Sequence, residues 1–264
     1  MPALQLPPKS VIAMVHVGAL PATHNAADPV TVIADRAAEE ASLLASLGYD
    51  AIIIENMHDA PYLLREVGPE ITASMTAVAA QVRRAIDIPV GIQILAGANR
   101  AALAVAHAAD LAFIRAEGFV FASVADEGLM AEADAGPLLR YRRAIGAHSV
   151  SVLADIKKKH SSHAITADID IAETARAAEF FGADGLIVTG VATGRETSPD
   201  DLRAVRDASS LPLLVGSGVT PDNAREMLSI ADAVIVGSYI KKSGDWRNTI
   251  DPDRARKLLD AARD

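Results

Sequence analysis

Two sets of residues in this chain have the types and spacing to do chemistry. Glu55, Arg115, Asp155 and Lys159 are charged side chains at, or just beyond, the ends of apolar runs. Gly216-Ser217-Gly218 and Gly237-Ser238 close two further runs near the C-terminal end. Carboxylates such as Glu55 and Asp155 can move protons, bind sugar hydroxyls or hold Mg²⁺. A lysine beside them can donate a proton, anchor an anion or, if desolvated, act as a Schiff-base amine. A glycine turn before a helix start offers backbone N–H groups to an anion, most often phosphate. Thr220-Pro221 reads as such a start. Thr220 can cap the first amides, and Pro221 suits the first helical position, where its missing N–H would be unpaired anyway. Gly237-Ser238 is read in the same way, as a turn ahead of a helix.

Other run ends are polar too: His16, Asn56, Gln93, and Thr189 with Gly190. A strand buried on both faces has no structural need for a polar end, so this many together argue for a binding site. The competing reading is that some of them satisfy loop backbone or pair with one another. If extended backbone continues past Asp155, then Asp155, Lys157 and Lys159 share one face by period two, and Lys158 points to solvent. His160 and His163 lack a matched third ligand, so no metal site is assigned to them. Thr189-Gly190 and Thr193-Gly194 would form a small-residue turn lining the phosphate or its sugar. Asp126-Glu127-Gly128 reads as a lid or as a solvated turn.

These residues need a scaffold that brings run ends together. The chain alternates apolar runs with helical patterns. The strands are Ser10–His16, Ala51–Ile54 closing at Glu55, Pro89–Leu95, Leu111–Arg115, Val150–Asp155, Gly185–Val188, Leu211–Val215 and Ala231–Val236. The first helix ends at Gly48, and Asn99 is a plausible cap for the third. A long segment, 116–135, separates the fourth strand from its helix; connections of that length are usually functional. Eight alternating units in 264 residues predict a parallel sheet closed as a (β/α)8 TIM barrel, a single domain over 1–264. No Gly-x-Gly-x-x-Gly follows the first strand, which weakens a dinucleotide-binding fold. In a barrel of this kind the seventh and eighth strands carry the usual phosphate site. The two Gly-Ser pairs fall there.

Composition narrows the function. The net charge is −9 with charges interspersed, a poor surface for nucleic acid. There is no cysteine, so disulfides and thiolate metal sites are excluded. No run approaches the roughly 18 apolar residues of a membrane span, and the first ten residues lack signal-peptide form. The expectation is a cytoplasmic protein without direct membrane contact. No organic cofactor is indicated, and Mg²⁺ stays open. Self-association is expected by analogy with other barrels.

Several segments together resemble the BtpA/SgcQ family. They include Met14-Val-His16 with Leu20-Pro21, Ile54-Glu55-Asn56 with Asp59-Ala60-Pro61, and Pro69-Glu70 with Ala73 and Met75-Thr76. Pro89–Ile92, Phe113-Ile-Arg115, Ala154-Asp155 with Lys159-His160, and Leu186–Gly190 with Ala192-Thr-Gly194 add to the likeness. Val215–Pro221 and Val234–Ser238 with Lys241 complete it. Glu127 stands where the family usually has Gln, and Gln93 where Asn is common. The resemblance implies a barrel akin to the ribulose-phosphate-binding group. It also implies two functional directions: photosystem I biogenesis from one branch, and a nucleosidase or sugar-metabolism enzyme from the other. The combined expectation is a sugar-phosphate or nucleotide binder that performs isomerisation, epimerisation or glycosidic cleavage. The catalytic residues would be Glu55 and Asp155 as an acid–base pair flanking the sugar, with Lys159 and Arg115 stabilising developing negative charge. The alternative is a non-catalytic assembly factor.

Overall fold

The computed structural model describes residues 4, 6–190 and 196–263. Eight strands form a closed barrel in the order β1-β11-β10-β9-β7-β4-β3-β2. They are β1 (Ser10–His16), β2 (Ala51–Glu55), β3 (Val90–Gln93), β4 (Phe113–Ala116), β7 (Ser151–Ile156), β9 (Gly185–Val188), β10 (Leu213–Val215) and β11 (Ala233–Val236). Their pairings are all parallel. The helices are α1 (Val30–Leu47), α2 (Pro69–Ala85), α3 (Asn99–Ala108), α4 (Ala135–Ala144), α5 (Ile171–Phe180), α6 (Pro199–Ala208), α7 (Ala224–Ile230) and α8 (Pro252–Arg263).

Period-two alternation sorts each strand into two faces. Outward residues such as Val11, Ala13, Ile52, Ile54, Val152 and Val234 join the helices in one large apolar cluster. Inward residues fill the barrel: Ile12, Met14, Ile53, Phe113, Leu153, Ile187, Leu214 and Ile235 form a separate cluster. Gly91 is required here, because a Cβ on it would lie 2.2 Å from the Phe113 ring. Continuing the inward series by two residues reaches His16, Glu55, Gln93, Arg115, Asp155, Thr189, Gly216 and Gly237. The polar run ends are therefore the inward-facing residues at the C-terminal mouth, above the apolar interior. His16, Glu55 and Gln93 lie level with one another, whereas Arg115 lies level with Leu153 and Asp155 with Ile187, so the polar ends are staggered around the mouth.

The segment 116–135 contains a hairpin, β5 (Ser123–Ala125) and β6 (Gly128–Met130), whose turn carries Asp126-Glu127. β5 also pairs with β8 (Ser161–Ser162), from the loop after β7. The two loops thus form a three-stranded antiparallel sheet beside the mouth.

Four local expectations change. Asn99 does not cap α3: it is the helix's first residue, and its buried side chain donates to the Glu117 carbonyl and to Asp134. Thr220-Pro221 forms a turn, and α7 begins only at Ala224. The Asn223 side chain accepts from the Thr220 N–H instead. Gly237-Ser238 leads into a 3-10 turn, Ser238–Ile240, and not directly into a helix. Finally, the period-two face past Asp155 breaks at Lys157, whose φ is +47°. Lys157 turns away to donate to the Ile169 carbonyl. Lys158 turns inward and is buried against Glu117, with Nζ 3.4 Å from Oε1.

Candidate active site

A cavity of about 190 Å³ opens at the mouth. Gly216, Ser217 and Gly218 after β10 line one side of it, with Gly237 and Ser238 after β11. His16, Glu55, Arg115 and Lys159 line the rest of the polar wall. Met14 and Ile235 of the barrel interior floor it. Nine of the fourteen residues expected at the site are therefore brought together: Glu55, Arg115, Lys159, His16, Gly216, Ser217, Gly218, Gly237 and Ser238.

The glycines allow close approach. Gly218 has φ +69°, a conformation that costs a residue with a Cβ. A Cβ at Gly216 would sit 2.6 Å from Ile187 and 3.3 Å from the Arg115 guanidinium. A Cβ at Gly237 would come 3.4 Å from the His16 ring.

The charged wall is held by specific partners. Arg115 grips Asp155: Nε donates at 3.2 and 3.0 Å to its two oxygens, and the guanidinium also reaches Oδ2 at 3.0 Å. Burial alone would lower the Arg115 pKa, but Asp155 and Glu55 outweigh it and raise it. Burial pushes the Asp155 carboxyl up, against the pull of Arg115. Asp155 thus stands behind Arg115 rather than on the cavity wall, and the expected acid–base pairing of Glu55 with Asp155 does not form: both Asp155 oxygens are held by the guanidinium.

Glu55 is also raised by burial, with Lys159 and Arg115 opposing. Lys159 is lowered, first by burial and then by the neighbouring Arg115. An acid pushed up and an amine pushed down in one pocket have their proton affinities drawn closer together. His16 has Nε2 3.8 Å from Glu55, and Nδ1 2.9 Å from the Trp246 carbonyl. Burial, aided by Lys241, lowers its pKa to about 3. It is therefore a neutral imidazole at physiological pH.

The other five expected residues lie around the cavity. Asn56 is buried, donates to Asp59 at 2.8 Å and accepts from the Leu95 N–H at 2.7 Å, tying the loop after β2 to the end of β3. Gln93 donates to Glu117 at 3.1 Å. Thr189 accepts from the Lys159 N–H at 2.9 Å, placing that lysine's backbone, and Gly190 follows it, buried. Asp155, as above, holds Arg115. Thr193-Gly194 lies outside the described residues. His160 is an exposed loop residue with Nδ1 3.2 Å from Asp126. Asp155 spends both oxygens on Arg115, and among the described residues no three His, Cys, Asp or Glu side chains gather as a metal set.

Two contributors were missed in the sequence. Arg254, in the first turn of α8, lines the cavity. Its Nε donates to the Tyr239 carbonyl at 2.7 Å, and its guanidinium lies 4.3 Å from the Tyr239 ring centre. A cation in a helix's first turn opposes the dipole, and that mismatch was an available signal. Glu117 is the second. It continues the inward series of Phe113 and Arg115, is buried, and joins Gln93 to Lys158.

Among the described residues, no helix is long and apolar enough to cross a membrane. A solved structure of (S)-3-O-geranylgeranylglyceryl phosphate synthase from Thermoplasma acidophilum, in complex with its substrate sn-glycerol-1-phosphate, has the same fold. Its TM-score is 0.62 at 14% identity, covering 96% of this chain and 93% of that one. An uncharacterized mitochondrial protein of Caenorhabditis elegans is 44% identical over 94% of this chain and 91% of its own. The photosystem I biogenesis protein BtpA of Synechocystis is 35% identical over 95% of this chain and 87% of its own. A profile of the BtpA family matches residues 7–264, and with these relatives it establishes that the chain belongs to the BtpA family.

Proposed function

We propose that this barrel is an enzyme acting on a phosphorylated small molecule of the sugar-phosphate or nucleotide class. The observation that carries the reading is that one cavity is lined by both Gly-Ser turns and by Glu55, Arg115 and Lys159. The turns and Arg254 bind the phosphate, and the charged wall acts on the rest of the ligand. Glu55 takes a proton from the substrate, Lys159 returns one, and Arg115 stabilises developing negative charge. Asp155 positions Arg115. Isomerisation and epimerisation use this pair directly. Glycosidic cleavage would use Glu55 to activate water. The glycerol phosphate bound by the Thermoplasma barrel supports a phosphorylated ligand by likeness of fold.

The test is a thermal-shift screen with sugar phosphates and nucleotides on wild type and on Ser217→Asp, which places a carboxylate where phosphate would bind. Stabilisation of wild type and not of the variant is expected. A protein indifferent to every phosphorylated compound, and to phosphate itself, would not have this site. Turnover that survives in Glu55→Gln and Lys159→Met would remove the acid–base pair.

The name of the Synechocystis relative supports a second reading, an assembly factor whose pocket is regulatory. The inward-facing polar mouth favours the enzyme, since a scaffold has no use for it. We place the protein in the cytoplasm as a homo-oligomer. Self-association is supported by Phe180, which is 85% exposed beside Phe181 on the end of α5. Sedimentation of Phe180→Ser at the same concentration as wild type tests this, and an unchanged mass would remove that surface.

A further inference from the structure

A second and larger cavity, about 750 Å³, lies against the first and shares His16 as a wall. It is bounded by the loop after β1, by α1 and by the segment between β11 and α8. Val17 and Leu43 give it an apolar lining, and Asn25 stands at its exposed rim. Its far wall is aromatic: the Trp246 and His58 rings are 5.2 Å apart, tilted by 49°. This wall is anchored. The Trp246 carbonyl is bonded to His16, and the segment is tied to α1 through Glu40, which accepts from Lys241 Nζ at 2.9 Å and from the Ile250 N–H at 3.1 Å.

Size decides what the mouth cavity can hold by itself. Its volume of about 190 Å³ is that of roughly six waters at about 30 Å³ each, enough for a phosphate and a few carbons. Sites for small organic ligands usually occupy about 300–1,000 Å³. The remainder of a larger ligand needs a second compartment, and the adjoining one has an apolar floor in Val17 and Leu43, an aromatic face, and an exposed rim that carries Asn25, Arg36, Glu39 and Arg247. Flat heteroaromatic groups are recognised in that way, by stacking and by edge hydrogen bonds.

We propose that the ligand is bipartite: a phosphate on the Gly-Ser turns, and a planar heteroaromatic group lodged past His16 against Trp246. This selects nucleoside monophosphates over simple sugar phosphates, and it rests on the phosphate site proposed above. His16 then sits beside the linkage between the two parts, where a neutral imidazole can hydrogen-bond a sugar hydroxyl.

Trp246 is the single tryptophan of the chain, so intrinsic indole fluorescence reports this compartment alone. The experiment compares ribose 5-phosphate with adenosine 5′-monophosphate on the full chain, by calorimetry and by fluorescence. The nucleotide is expected to bind at least tenfold more tightly and to quench Trp246; ribose 5-phosphate should leave the fluorescence unchanged. Trp246→Leu should abolish the difference while keeping the ribose 5-phosphate affinity. Ala19→Trp, on the opposite loop, should fill the cavity and do the same. Equal affinities for the two ligands, with no change at Trp246, would overturn the second compartment and leave the phosphate site standing. Failure of both ligands and of inorganic phosphate to bind would instead overturn the phosphate site, and this proposal with it. Loss of self-association in Ala19→Trp with unaltered ligand discrimination would assign the cavity to a second copy of the chain and also overturn the proposal.

Discussion

Arg115 holds both carboxylate oxygens of Asp155, with Nε at 3.2 and 3.0 Å, and both side chains are almost wholly buried. β4 and β7 are neighbours, and the register pairs Arg115 with Leu153, two residues before Asp155 on the same inward face. Removing one partner of such a pair strands the other charge. Asp155→Ala is expected to destabilise the protein by about 3–5 kcal/mol. Chemical denaturation measures this. A loss below about 1 kcal/mol would mean that solvent or another group compensates Arg115.

His16 gives a pH signature. Its folded pKa is about 3, whereas an unfolded chain would show about 6.5. The unfolded state therefore takes up a proton that the folded state refuses. Stability is lost as pH falls from about 6.5 towards 3, by roughly 2 kcal/mol at pH 5 relative to pH 8. Glu55 and Asp155, raised in the fold, act in the opposite sense, so the wild type should be compared with His16→Gln. The difference between their stability curves should grow below pH 6.5. Parallel curves would show that His16 titrates alike in the folded and unfolded states.

The acid–base pair predicts the shape of a pH–rate profile. Glu55 must be ionised and Lys159 protonated. The acidic limb should lie above the ordinary Glu value of about 4.3, and the basic limb below the ordinary Lys value of about 10.4. Glu55→Gln should lower kcat about 10²–10⁴-fold and erase the acidic limb. An acidic limb that persists in the variant belongs to another group.

Lys158 is expected to matter for stability although it lies in a lysine run. Its ammonium is the cation beside buried Glu117. Lys158→Met should cost about 3–5 kcal/mol by leaving that carboxylate unpaired, while Lys158→Met with Glu117→Gln should recover most of the loss. Thermal melts of the single and double variants decide this, and additive losses would show that the two side chains do not interact.

Gly91 faces Phe113 across β3 and β4. Gly91→Ala should destabilise by at least about 1–3 kcal/mol through overpacking, and Gly91→Ala with Phe113→Leu by less. The melting temperatures of the two proteins should fall in that order.

Much of this was legible because strand alternation is a local property. That His16, Glu55, Gln93, Arg115, Asp155 and Thr189 all face inward follows from counting in twos along runs visible in the sequence, and the placement of the Gly-Ser turns at the last two barrel strands follows from counting the strands. Counting fails where the chain leaves the strand. The left-handed turn at Lys157 reverses the roles of Lys157 and Lys158, and no residue type there announces it. Whether a polar strand end faces the cavity or a neighbour also depends on what stands beside it. Asp155 meets Arg115 and withdraws behind it; Asn56 meets Asp59 and the Leu95 amide. Arg254 reaches the mouth cavity, and Trp246 the adjoining one, only because the segment between β11 and α8 folds back onto α1. The sequence alone thus determined the barrel and the polarity of its mouth. Tertiary packing decided which of those groups face the ligand, because loop closure and side-chain pairing join residues far apart in the chain.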